Sequence, residues 1–120
     1  MTFTIDSYTL SVLDFSEEAE SIGAEWIGWE NAQLKRKRFI YAVKRTWRLN
    51  CIEKNVAWSS SVINYLLQKM TANETVTLTV DEGNRYQLSA TTVHVVNVEF
   101  NMPQVGAQNI RHFTVILKEA

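Results

Sequence analysis

The sequence predicts a mainly β (α+β) domain: an antiparallel β-sandwich or barrel of seven or eight short strands, with one amphipathic helix over about 56–70 packed against it. Three observations carry that expectation. Most of the chain alternates apolar and polar residues with period two. One stretch, Val56–Met70, changes to a period near four. The strand faces and the helix stripe must cover one another, and a sandwich or barrel with the helix on its open side does so. With 120 residues, 46% of them hydrophobic, the chain suits a single domain, 1–120, with one core.

Phe3 and Ile5 alternate with Thr4 and Asp6, and Tyr8, Leu10 and Val12 alternate with Thr9 and Ser11, so Phe3–Phe15 reads as two short strands broken at Asp6-Ser7. Ser16–Ser21 is acidic and polar, and reads as a loop. Gly23–Gln33 places two glycines within six residues, which weakens a helix. It reads as an extended loop or irregular edge strand presenting Trp26 or Trp29 as an anchor. Two basic strands follow, joined around Ala42–Arg45, with Phe39, Tyr41 and Val43 alternating in the first and Trp47, Leu49 and Cys51 in the second. Both apolar sets are expected to face the core, with the charges outward.

Trp58, Val62, Leu66 and Met70 recur every four residues, with Ile63 and Leu67 beside them and Ser60, Ser61, Asn64 and Gln68 opposite. Ser59 or Asn55 is the expected cap, and Lys69 suits the negative end of the helix. Thr71–Glu74 must turn the chain without glycine. Thr75–Val80 is a strand with Val76, Leu78 and Val80 on one face, and Asp81–Asn84 a hairpin loop in which Gly83 takes positive φ. Arg85–Ala90 returns. Thr92–Phe100, apolar on both sides, reads as a central strand; Asn101–Gln108 as an exposed loop; and Asn109–Leu117 as a last strand with Phe113, Val115 and Leu117 inward.

Chemistry is sparse. Cys51 is the single cysteine, so neither an internal disulfide nor a Cys-based zinc site is available, and its strand phase makes it a core residue. His94 and His112 are the two histidines, without metal-binding spacing; if their strands pair they could be neighbours. No serine sits in a nucleophile-elbow motif, and the four glycines are too scattered to cradle a phosphate. No catalytic, cofactor or metal residue is expected, and the chain does not read as an enzyme. Its apolar runs are too short to span a membrane as a helix, and Met1–Thr4 lacks the basic and apolar regions of a signal peptide, so a cytoplasmic product is expected.

Charge is the informative feature. The net charge of −1 hides two blocks. Residues 1–34 hold seven acids, among them Glu17, Glu18 and Glu20, and no Lys or Arg; residues 35–48 hold seven bases, Lys35, Arg36, Lys37, Arg38, Lys44, Arg45 and Arg48, and no acid. One reading is a salt-bridged surface within a subunit. The other is a pair of complementary surfaces on different sides of the molecule, which favours head-to-tail self-association into a ring or stack. Basic residues interleaved with aromatics also suit single-stranded nucleic acid, and a small nucleic-acid-binding β module using 35–48 is the alternative. The acidic balance of the whole chain argues against it. A ligand-holding barrel is a third class, and it requires an interior cavity.

Strands leading into Arg45-Thr46-Trp47-Arg48-Leu49-Asn50-Cys51, a helix opening near Ala57-Trp58, then Glu74-Thr75-Val76-Thr77-Leu78, Tyr86-Gln87-Leu88 and Phe113-Thr114-Val115-Ile116-Leu117-Lys118-Glu119 resemble, in order, the small subunits of phage tail tubes, distal tail proteins and related baseplate or connector rings. The resemblance covers most of the chain as a pattern. It implies a β-sandwich with a helix, rings that are commonly hexameric, arms bridging neighbours, other tail proteins as partners, and a location in the virion after assembly in the host cytoplasm. It implies no catalytic residue. This sequence lacks an obvious long Gly-rich hairpin loop, and Ser16–Leu34 is the stretch that would take that role. Interface candidates are the seven bases, Glu17, Glu18, Glu20, Trp26 and Trp29.

Overall fold

The computed structural model describes residues 2–30, 33–102 and 110–120, with side chains at 24–30 and 34–41 left aside. It is a closed antiparallel barrel of six strands in the order β1-β2-β3-β6-β5-β4. The strands are β1 (Thr2–Ile5), β2 (Tyr8–Glu30), β3 (Gln33–Lys54), β4 (Thr75–Asp81), β5 (Gln87–Asn101) and β6 (Ile110–Glu119), with helix α1 (Val62–Thr71) between β3 and β4. The architecture is thus a barrel and not a sandwich, and six strands replace the expected seven or eight.

The lower count comes from β3 and β5, each of which reads as two short strands and runs on as one. A β-bulge adds a residue to one strand and inverts which side chains face inward, so a continuous bulged strand looks like two short ones to a period-two reading. In β2 the register slips at Leu13: Val12 lies opposite Cys51 and Asp14 opposite Asn50. Leu10 and Val12 face the core before the slip and Phe15 after it, leaving Leu13 62% exposed. In β5 one slip at Ser89–Ala90 joins what reads as separate strands, and a second at Val96 turns Val93 and Val95, then Val98, inward. Of the apolar residues on both sides of that strand, Val93 and Val95 are buried and Val98 packs on the core, while Val96, at the slip, and Phe100 are 45% and 41% exposed. Ser16–Ser21 is strand and not loop, Gly23–Glu30 continues it, and the break expected around Ala42–Arg45 is absent because β3 runs through it. The expected loop over 101–108 falls mostly outside the described residues.

Trp47, Leu49 and Cys51 of β3, Val76, Leu78 and Val80 of β4, and Phe113, Val115 and Leu117 of β6 are buried together as expected. With Val62, Ile63 and Leu66 of α1 they form one continuous hydrophobic core. The helix is shorter than the period suggests. Trp58–Ser60 forms a separate 3-10 turn, which leaves Trp58 43% exposed against Phe100 and under the Arg111 guanidinium. Ser61 is the cap, not Ser59 or Asn55: its Oγ accepts the Ile63 N–H at 3.1 Å. Glu53 completes that start from β3, accepting from Ser61 Oγ at 2.7 Å and the Val62 N–H at 3.1 Å while paired with Arg111 at 2.7 Å.

Non-glycine turns are solved by Asn and Asp, which tolerate left-handed backbone. Asn73 (φ 54°) ends α1, with its N–H on the Met70 carbonyl and the Glu74 N–H on the Lys69 carbonyl. Asp6 (φ 50°) turns β1 into β2, and its carboxylate accepts the Thr77 N–H at 2.8 Å and the Tyr65 hydroxyl. Gly83 takes positive φ in the β4–β5 hairpin, as expected.

Candidate functional site

β2 and β3 have 23 and 22 residues, far beyond the usual strand of 3–10. Their outer neighbours are short. β1 pairs with β2 only at Tyr8–Leu10, and β6 pairs with β3 only from Thr46 to Lys54. Beyond the Glu18–Thr46 pair the two strands therefore continue alone, Ala19–Glu30 against Gln33–Arg45, as a two-stranded arm. Twelve residues at the strand rise give about 40 Å of arm, in keeping with overall extents of 71 × 34 × 28 Å. No residue of 19–45 belongs to the buried core as described. A two-stranded ribbon is marginal by itself in water, because it has no face to bury.

Most residues of the acidic and basic blocks lie on the paired strands β2 and β3, while Asp6 sits in the β1–β2 turn and Asp14 and Arg48 on the barrel. Glu18 lies opposite Thr46, Glu20 opposite Lys44, Glu25 opposite Arg38, Trp26 opposite Lys37 and Trp29 opposite Leu34. The backbone thus places Lys35, Arg36, Lys37 and Arg38 together near the tip with Trp26 and Trp29; their side chains lie outside the described set. Phe39 and Tyr41 likewise sit on a part of β3 beyond the barrel, and Val43, expected inward, is 58% exposed. A charge asymmetry survives in another form. Residues 19–45 hold six bases (Lys35, Arg36, Lys37, Arg38, Lys44, Arg45) and three acids (Glu20, Glu25, Glu30), a formal +3. The remaining residues hold six bases and ten acids, a formal −4, and the two parts sum to the chain's −1.

The root of the arm is a cluster of charged and aromatic groups. Arg45 donates from Nη2 to Glu119 Oε2 at 2.9 Å, from Nε to Glu119 Oε1 at 3.4 Å, and from its backbone N–H to the same Oε1 at 3.1 Å. Glu17 on β2 stands 3.8 Å from the guanidinium and accepts the indole N–H of fully buried Trp47 at 3.1 Å. The same indole N–H reaches Tyr86 Oη at 3.2 Å, and Arg45 lies over the Trp47 ring. The hydrogen bonds from Arg45 hold the Glu119 carboxyl below its usual range, and the Arg45 pKa is raised, first by that same bond. Arg48, the remaining basic candidate, is exposed on the barrel, opposite Ser16 and Ile116.

The histidines are separated. Their strands pair, but His94 lies opposite Lys118 and His112 opposite Asn101, six positions apart along β6, or about 20 Å. Among the described residues, no group of three or more His, Cys, Asp and Glu could hold a metal ion. Burial pushes the Cys51 thiol up to about 12, as befits a core residue. Sequence reading missed Glu119 and Tyr86, whose roles depend on contacts across 74 and 39 residues of chain.

No protein-family model matches the chain, and no curated protein matches it. Among solved structures, it superposes on a component of the virion of a native gene transfer agent particle with a TM-score of 0.56 and 9% identity, over 99% of this chain and 91% of that one. The two share a fold. A chain from the tail of an empty gene transfer agent particle with C6 symmetry is matched with a TM-score of 0.48 and 8% identity, over 94% of this chain and 81% of that one.

Proposed function

We propose that this chain is a structural, non-enzymatic subunit of a phage-like tail, located in the virion, and that copies of it join into a ring through the arm. The observation that carries the reading is the arm itself: Ala19–Glu30 and Gln33–Arg45 paired as a ribbon that contributes nothing to the described core. A ribbon of that kind gains its stability from a surface it lies on, and a neighbouring copy offers one of opposite charge. Arm (+3) on barrel (−4) is a heterologous contact, which closes into a ring when the rotation closes. The fold shared with a gene transfer agent virion component supports the tail setting. On this reading Lys35–Arg38, Trp26 and Trp29 meet the neighbour, while Glu17, Glu18, Glu20, Lys44, Arg45 and Arg48 lie at or near the root. Light scattering and cryo-EM of the purified protein test it. Oligomers that weaken as salt rises from 0.05 to about 0.5 M are expected, since screening shortens the reach of exposed charges. A strict monomer at every salt and concentration would remove the proposal.

A second reading keeps one specific support. A two-stranded ribbon fits the major groove of DNA, and this one has four consecutive bases near its tip. A gel shift at moderate salt separates the readings, because binding through 35–38 falls steeply with salt and with neutralisation of those residues.

A further inference from the structure

We infer that Arg45, gripped by Glu119 and Glu17, is the positioning residue that sets the direction of the arm, so that the arm is aimed before it meets any partner. The inference rests on the proposed assembly only for what the arm is aimed at; the aiming is a property of the single chain.

Residue 45 is where β3 loses its barrel neighbour. The ladder to β6 runs as far as Thr46 opposite Lys118, so the next pair would be Arg45 with Glu119. Backbone pairing is replaced there by side-chain pairing: the Glu119 carboxylate takes the Arg45 N–H at 3.1 Å and the guanidinium on both oxygens. The ladder is in effect extended by one step, with a carboxylate standing for a carbonyl. From the other edge Glu17 approaches the same guanidinium at 3.8 Å, so β2, β3 and β6 are tied to one side chain. Glu17 is itself fixed by the indole of Trp47, which has no exposed surface, and Tyr86 joins that indole. From Tyr86 the contacts continue to Phe15 and Phe3, at ring separations of 5.0 and 5.2 Å. Lys44 adds a bond to the Ala120 carbonyl at 2.8 Å. A planar guanidinium held at two oxygens resists rotation in a way a single ammonium contact does not.

The leverage makes this consequential. Over an arm of about 40 Å, a change of 20° at the root moves the tip by roughly 14 Å. An arm fixed at its root spares the ordering cost that a swinging one would incur on docking.

Spin labels at Gln33→Cys on the arm and Asn84→Cys in the β4–β5 hairpin, both exposed, report arm direction by pulsed electron resonance in dilute protein, with buried Cys51 left unlabelled. The expected result is one narrow distance distribution, which at least doubles in width in Glu119→Ala and in Arg45→Gln and widens less in Arg45→Lys. Circular dichroism confirms that the barrel remains folded, and either of the first two variants suffices if the other does not fold. A broad distribution in the parent protein, or an unchanged narrow one in both variants, overturns the inference. Because the measurement is made on unassembled chains, a narrow distribution with no oligomer at any concentration would leave this inference standing and remove the proposed assembly.

Discussion

Excising the arm is the most informative perturbation. Glu18 and Thr46 face one another across the ladder, so a two-residue Asn-Gly turn can join them in register and remove residues 19–45. None of the described core residues is lost. What disappears is the Arg45–Glu119 pair, whose side chains are 34% and 20% exposed, the longer Arg45–Glu17 contact, the Lys44 bond and the cation–π contact on Trp47. An exposed ion pair contributes about 0.2–1 kcal/mol and the cation–π contact about 0.5–1, so the loss is about 1–2 kcal/mol. Shortening the connection from 27 residues to two recovers about 2 kcal/mol of loop-closure entropy, at roughly 0.6 per doubling. The two nearly cancel, and the barrel should melt within about 10 °C of the parent, given 4–8 °C per kcal/mol for a domain of this size. Thermal unfolding by circular dichroism measures that, and light scattering of the same sample should show a monodisperse monomer. A variant that is molten, or weaker by more than about 3 kcal/mol, would show that the arm belongs to the folding unit of the barrel. A folded variant that still forms the parent's oligomers would refute the arm as the assembly element.

Glu53→Ala removes the acceptor shared by Ser61, the Val62 N–H and Arg111 in a buried site, and should cost about 3–5 kcal/mol in denaturant unfolding at unchanged slope; a loss under 1 kcal/mol would contradict the assigned network. Cys51, buried in the core with its thiol pKa pushed up by that burial, should resist thiol reagents in the native protein at pH 8 and react promptly once unfolded. The Glu119 pKa is lower in the folded chain than in the unfolded one, so its stabilisation is complete above the ordinary carboxylate value and fades as pH falls through the depressed one. The arm-to-barrel distance distribution should accordingly broaden as pH falls below the ordinary carboxylate range, and a width unchanged by acidification while the barrel stays folded would argue against an ionic root.

Several features needed only local chemistry. Alternation placed Trp47, Leu49, Cys51, Phe113, Val115 and Leu117 on buried faces, and a four-residue period picked out Val62, Ile63 and Leu66, because each pattern is written in side chains a few positions apart. Turns at Asp6 and Gly83 were legible for the same reason. Helix length was not, since Trp58 keeps the period while Ser61, bonded to Glu53 eight residues earlier, starts the helix one turn later.

The sequence by itself determined a mostly β chain, the inward phase of its barrel strands and the two blocks of opposite charge. Only the tertiary structure decided that β2 and β5 run on through their bulges, because a bulge inverts the local phase and only a partner strand shows that pairing continues. It alone decided that most of the two charge blocks lie on the paired strands β2 and β3. Phe39, Tyr41 and Val43 alternate as a core strand does, so only the partner strands show that this part of β3 lies beyond the barrel, and the Arg45–Glu119 contact that ties the arm to the barrel joins residues 74 apart.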